Sequence, residues 1–245
     1  MASVRVYPSA DELARAVADF VVLRAADAIA GSGRFTMALS GGSTPRALYS
    51  LLATPEYADR ISWTHAHLFW SDERCVPPDD PSSNYRMARE TLIDRVPIPA
   101  EQVHRIRGED DPSAAAEAYD LVLRTVLGSP GPDHSPVTGF DLVLLGLGED
   151  GHTASLFPGK SGVREKTRWV VAEDVEAVGM WRITLTPVVI NAAHSVAFMV
   201  SGAGKSARLK EVLEEPANPD RLPAQAIKSR SGGPVWMVDQ AATGA

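Results

Sequence analysis

The chain has one cysteine in 245 residues, Cys75, so no intrachain disulfide can form, and this usage fits a reducing compartment. It lacks any apolar stretch approaching the ~20 residues that span a bilayer, so no membrane is expected as a partner. It also lacks positive charge: 24 Lys and Arg against 31 Asp and Glu leave a net charge of -7. An acidic chain gains little from the attraction of a phosphate backbone, which argues against nucleic acid while leaving room for a local basic pocket around one small anion. The segment from Met1 to Arg5 runs straight into strand and helix patterning, without the charged and apolar regions of a secretion signal, and the expected location is the cytoplasm. No repeat of fixed period is present. There is no G-x-S-x-G elbow for a serine hydrolase.

What remains is a chain with 44% apolar and 22% charged residues, close to the globular norm. Its length suits one α/β domain, and residues 1–245 are read as a single unit. Ser3 to Tyr7 alternates as a short strand, and Ser9 with Glu12 forms a capping box ahead of Leu13, Val17, Phe20 and Val21 at helical spacing. That helix is expected to end near Gly31-Ser32-Gly33. Phe35 to Leu39 is a second strand; Thr44 then caps a helix, with Pro45 in its first turn. Further strands are predicted at His67–Ser71, Val103–Ile106, Phe140–Leu145, Trp169–Ala172, Ile183–Thr186, Val196–Val200 and Val235–Val238. Helices are expected from Ser82 or Ser83, from Asp111-Pro112 and from about Gly204. Residues 128–138, rich in Gly and Pro, read as a surface loop. Strands alternating with helices predict a Rossmann-like α/β fold, a mostly parallel sheet with helices on both faces. Ligands in such sheets collect beyond the carboxyl ends of the strands.

That rule selects four loops. In Ser40-Gly41-Gly42-Ser43-Thr44-Pro45, adjacent glycines and a helix N-terminus suit a phosphate ester, although an ordinary strand-to-helix turn has the same composition. The Gly-Lys-Ser/Thr ending of a nucleotide P-loop is absent. In Asp72-Glu73-Arg74, Arg74 can hold a phosphate or carboxylate bidentately, or it is simply solvated. Gly146, Gly148 and Gly151 match the dinucleotide pattern G-x-G-x-x-G, but Pro158-Gly159 stops any helix after about five residues, and a crossover needs about a dozen. The chemistry of this loop lies in His152, which can take a proton from water near neutral pH. Asp150 either supports it or is only a turn residue. In Ser201-Gly202-Ala203-Gly204-Lys205, a lysine in a first helical turn opposes the dipole unless an anion binds there. His65 and His67 could face one side of a strand as metal ligands, but no third ligand is evident and no metal is expected.

The residues that carry these features resemble the 6-phosphogluconolactonase family. The matching blocks are Leu39 to Pro45, Asp72 to Pro77, Ser83-Asn84-Tyr85, Gly148 to Gly159, Arg182 to Thr186, Ser201 to Lys205 and Pro223-Ala224, in order along nearly the whole chain. The block around His152 is highly specific, whereas the serine-glycine block is shared more widely. The resemblance implies a fold shared with glucosamine-6-phosphate deaminases, hydrolysis of 6-phospho-D-glucono-1,5-lactone to 6-phosphogluconate in the oxidative pentose phosphate route, and no metal or organic cofactor. It implies His152 and Asp150 as catalytic residues. The substrate-binding set is Gly41, Gly42, Ser43, Arg74, Arg182 and Lys205, of which Arg182 is supplied by the resemblance alone. The expected partner is a small phosphorylated sugar lactone, and the expected assembly is a monomer or weak homodimer. Residues 225–233 and 128–138 depart most from the family pattern. Two other readings stand beside this one: an amino-sugar-phosphate deaminase or isomerase using a carboxylate such as Asp72 as base, and a non-catalytic sugar-phosphate sensor.

Overall fold

The computed structural model describes residues 3–128, 139–176 and 179–244; most of the loop predicted at 128–138 lies outside them. Strands β1 (Ser3–Tyr7), β2 (Phe35–Leu39), β3 (Ala66–Trp70), β5 (Leu142–Leu145), β8 (Ser195–Val200) and β9 (Val235–Asp239) form one sheet, in the order β1-β9-β8-β5-β2-β3. Every pairing in it is parallel. The residues of β2, β5 and β8 are buried throughout, as expected for strands covered on both faces. The covering helices are led by α1 (Ala10–Ser32), α2 (Ser43–Leu52), α4 (Asn84–Thr91), α5 (Pro112–Leu127) and α7 (Ser206–Glu214), with short helices α3 (Pro55–Ala58), α6 (Pro187–Ile190) and α8 (Gln240–Thr243). No helix among the described residues is long and apolar enough to cross a membrane.

The local signals act as the sequence predicts at several ends. Ser9 accepts from the Glu12 N–H at 3.2 Å and opens α1, and Gly33 closes it in the left-handed region at φ 75°. Ser83 caps α4 and Asp111 caps α5, with Pro112 in the first turn. Two expectations fail. Gly42, not Thr44, is the N-cap of α2; it holds φ 110°, and the helix begins two residues earlier than a threonine cap would place it and has no side-chain cap. The stretch from Val103 to Ile106 is no strand: it makes a single bridge, Val103 to Leu68, at the edge of the sheet.

A second sheet of three antiparallel strands, β4 (Asp72–Arg74), β7 (Met180–Leu185) and β6 (Val170–Val175), adds to the predicted parallel one. Its register sets Asp72 opposite Thr184 and Arg74 opposite Arg182. In the main sheet the chain runs from β2 outward to β3, then returns to place β5 on the other side of β2. The loops after β2 and β5 thus diverge at a topological switch point, where open α/β sheets form a ligand crevice.

Candidate active site

A cleft of about 580 Å³ lies at this switch point. Its walls come from all four loops selected by the strand-end rule. Gly41, Gly42, Arg74, Asp150, His152, Arg182 and Lys205 line it together. Ser43 is the first residue of α2 and exposed, and it is not among the lining residues.

The glycine loop is shaped by two different needs. Gly42 is required for its positive φ. Gly41 is required for space, since a Cβ there would lie 2.0 Å from Asn84 Oδ1. Tyr49, fully buried on α2, clasps the loop by accepting from the Ser40 N–H at 2.9 Å and donating to the Ser40 carbonyl at 2.8 Å. With no side chain capping α2, its first N–H groups and positive dipole end are left for an anion.

Opposite this helix end stand Arg74 and Arg182, directly paired across β4 and β7. Like charges at facing positions repel. The Nε atoms of both are buried without a hydrogen-bond partner. Burial, and then the neighbouring Arg74 charge, pull the Arg182 guanidinium below its usual value. Two unsatisfied guanidinium edges at one wall form a slot completed by an oxyanion with several acceptors, such as a phosphate. Arg74 is braced by donating to the Ser82 carbonyl. Its strand is pinned by Glu73, whose carboxylate accepts from the N–H groups of Arg74, Asn84 and Tyr85 at 2.7–2.8 Å and from the Ser83 hydroxyl at 3.1 Å.

The third wall is the loop after β5. His152 Nδ1 meets Asp150 Oδ1 at 2.5 Å, and the same oxygen accepts the His152 backbone N–H at 3.0 Å. Burial pushes the Asp150 carboxyl up, but these hydrogen bonds outweigh it and hold the group below its ordinary value. An ionised carboxylate only accepts, so Nδ1 carries a proton, and in the neutral imidazole the lone pair is then on Nε2. The Phe157 ring packs on the imidazole at 4.3 Å between centroids. Gly148 makes room on the imidazole: a Cβ there would lie 2.1 Å from His152 Nδ1. Its φ is not positive, so space and not conformation demands the glycine. Gly148→Ala is therefore expected to displace the imidazole and lower kcat by roughly 10- to 100-fold, since an error near 1 Å can cost that much. Steady-state kinetics alongside a melting curve check this, and unchanged kcat would refute it.

Lys205 lies in a 3-10 turn (Ala203–Lys205) just ahead of α7, not in the first helical turn where the sequence places it, with its Nζ 3.9 Å from Glu149 Oε1. Asp239 at the end of β9 ties this loop down by accepting from Ser201 Oγ at 2.5 Å and the Gly202 N–H at 3.0 Å. Asn84, Ser155 and Phe157 also line the cleft, unselected by any local pattern; Asp72 lines it too. Away from the cleft, His67 does not pair with His65: its Nδ1 lies 3.0 Å from His104 Nε2, the rings stacked. Cys75 is half-buried, and burial pushes its thiol up to about 11, far from a reactive thiolate.

A family model for glucosamine-6-phosphate isomerases and 6-phosphogluconolactonases matches residues 8–236. The 6-phosphogluconolactonase of Nostoc sp. is 40% identical over 241 residues, covering 98% of this chain and 96% of the relative. The chain belongs to the 6-phosphogluconolactonase family. A second family member, the 6-phosphogluconolactonase of Haemophilus influenzae, is 40% identical over 206 residues, 84% of this chain and 85% of its own. Among solved structures, the 6-phosphogluconolactonase of Trypanosoma brucei superposes with a TM-score of 0.84 at 29% identity, covering 100% of this chain and 98% of that one. The six-stranded parallel sheet with its small antiparallel partner is thus the fold of the 6-phosphogluconolactonase family.

Proposed function

We propose that the chain hydrolyses 6-phospho-D-glucono-1,5-lactone to 6-phosphogluconate, with His152 as general base. The observation that carries this reading is one cleft holding a phosphate-sized slot between two arginines whose buried Nε atoms lack partners and, on another wall, an imidazole already oriented by a carboxylate. Binding alone needs the first feature and not the second, which disfavours a passive sensor. The membership of the family supports the same substrate.

In this mechanism Arg74, Arg182 and the α2 N-terminus hold the 6-phosphate. His152 Nε2 takes a proton from water as its oxygen attacks C1. The bond from C1 to the ring oxygen then breaks, and the imidazolium returns the proton to that departing oxygen. Asp150, ionised, steadies the imidazolium between the two steps. The oxyanion on C1 needs a donor. The Gly151 N–H is already given to the Gly148 carbonyl at 3.1 Å, and the Gly148 N–H to the His152 carbonyl at 2.8 Å, so the loop offers neither of these. Lys205 is the cation left for that role or for the phosphate.

The direct test is hydrolysis of freshly generated lactone, followed against the spontaneous rate. Turnover well above background is expected; a folded protein with none would overturn the reading. Lys205→Met is expected to raise KM at least tenfold in the same assay, and an unchanged KM would remove the lysine from the binding set.

A further inference from the structure

The loop that carries His152 is held by the Asp150 pair and by bonds within itself, such as Thr153 Oγ1 to the Gly146 carbonyl at 2.9 Å, and at Ser155 it is also fastened to the small sheet. Between the histidine and Ser155 stands Ala154 at φ 49°, the one non-glycine residue among the described residues in the left-handed region. That conformation is costly for a residue with a Cβ and persists only where its surroundings enforce it. The enforcement comes from Ser155, 2% exposed. Its Oγ donates to Asp72 Oδ2 at 2.7 Å, and its N–H donates to Thr184 Oγ1 at 3.1 Å. Asp72 and Thr184 face each other across β4 and β7, two residues before Arg74 on one strand and two after Arg182 on the other. This anchor of the catalytic loop is therefore bonded to the same pair of strands that presents the two arginines.

We propose that Ser155 is a positioning residue: through Asp72 and Thr184 it fixes the distance between the His152 imidazole and the arginine pair, and so sets where the attacked carbonyl must lie relative to the phosphate. This rests on the assignment of His152 as base and of the arginines as phosphate clamp. Two hydrogen bonds and one strained residue hold the span rigid, so a substrate is accepted by the length between its phosphate and its ester carbonyl. A loop freed at Ser155 still binds phosphate at the clamp, but the base no longer meets C1 in register.

The test is steady-state kinetics of Ser155→Ala on 6-phosphogluconolactone, with binding of 6-phosphogluconate measured alongside. The expected result is a fall in kcat of about 10- to 100-fold, the cost of misplacing a reacting group, with KM and product affinity within threefold of the intact protein. Thr184→Val, which keeps the side-chain shape and removes the other acceptor, changes kcat in the same sense and guards against a Ser155 variant that fails to fold. A folded Ser155→Ala with unchanged kcat overturns the inference, as does a loss confined to KM. An intact protein without lactonase activity instead overturns the functional reading beneath it, and the two failures are distinguished by that control.

Discussion

His152→Ala is expected to lower kcat by roughly 10²- to 10⁴-fold, the range associated with a positioned general base. The imidazole lines the cleft, but the proposed phosphate slot lies elsewhere, between Arg74, Arg182 and the start of α2. KM and the affinity for 6-phosphogluconate should therefore stay within a few-fold. His152→Asn sharpens the experiment, because an amide keeps a donor toward Asp150 and has no group able to take a proton near neutral pH. Both variants should be equally slow if proton transfer is the role. If the asparagine variant retains most of the activity, orientation and not base catalysis is the function of residue 152.

The second large effect is expected at Arg182. Arg182→Met keeps the length and apolar stem while removing the charge. Losing one partner of a buried, charge-assisted contact costs about 2–4 kcal/mol, or roughly 30- to 1,000-fold in kcat/KM, carried mainly by KM. The empty protein should respond in the opposite direction. Arg182 sits beside Arg74 with its Nε unpaired, and both burial and that neighbour disfavour its charge. Removing it relieves repulsion, so the melting temperature without ligand should hold or rise while the stabilisation by added 6-phosphogluconate disappears. Thermal melts with and without the ligand check both halves. A variant that melts lower when empty and still gains stability from the ligand would show that Arg182 is structural. Arg182→Lys should recover only part of the loss, because an ammonium lacks the planar fork.

The elements most legible in the sequence are those fixed by neighbours in the chain. The Ser9–Glu12 box, the Gly33 stop, the Ser83 cap and the Asp111-Pro112 opening each act over three or four residues, and each is found where it was expected. The Gly42 cap was misread because threonine and glycine both suit such an end, and the choice depends on Tyr49 and Asn84 closing around the loop from elsewhere. Two strands of the antiparallel sheet, β6 and β7, overlap stretches the sequence predicts as strands, but β4 and the antiparallel pairing are not legible. Three polar residues, Asp72 to Arg74, show no alternation, and they form a strand only because β7 pairs with them. For the same reason local pattern offered Arg74 as a candidate but not Arg182, which entered through family resemblance. Asn84, Ser155 and the reason for Gly148 depend on contacts that no spacing encodes.

The paired arginines come from strands far apart in the chain, joined by no hairpin. Their slot therefore has no counterpart in any fragment and none in an early, locally ordered folding intermediate, because pairings of high sequence separation are entropically late. A sugar phosphate added to the refolding chain is expected to find no arginine clamp until the small sheet has closed. The ligand can then retard unfolding, but it has no means to hasten folding. If the arginine pair holds phosphate as proposed, recognition depends on the completed topology, and loss of phosphate binding is the expected sign that the antiparallel ribbon has opened.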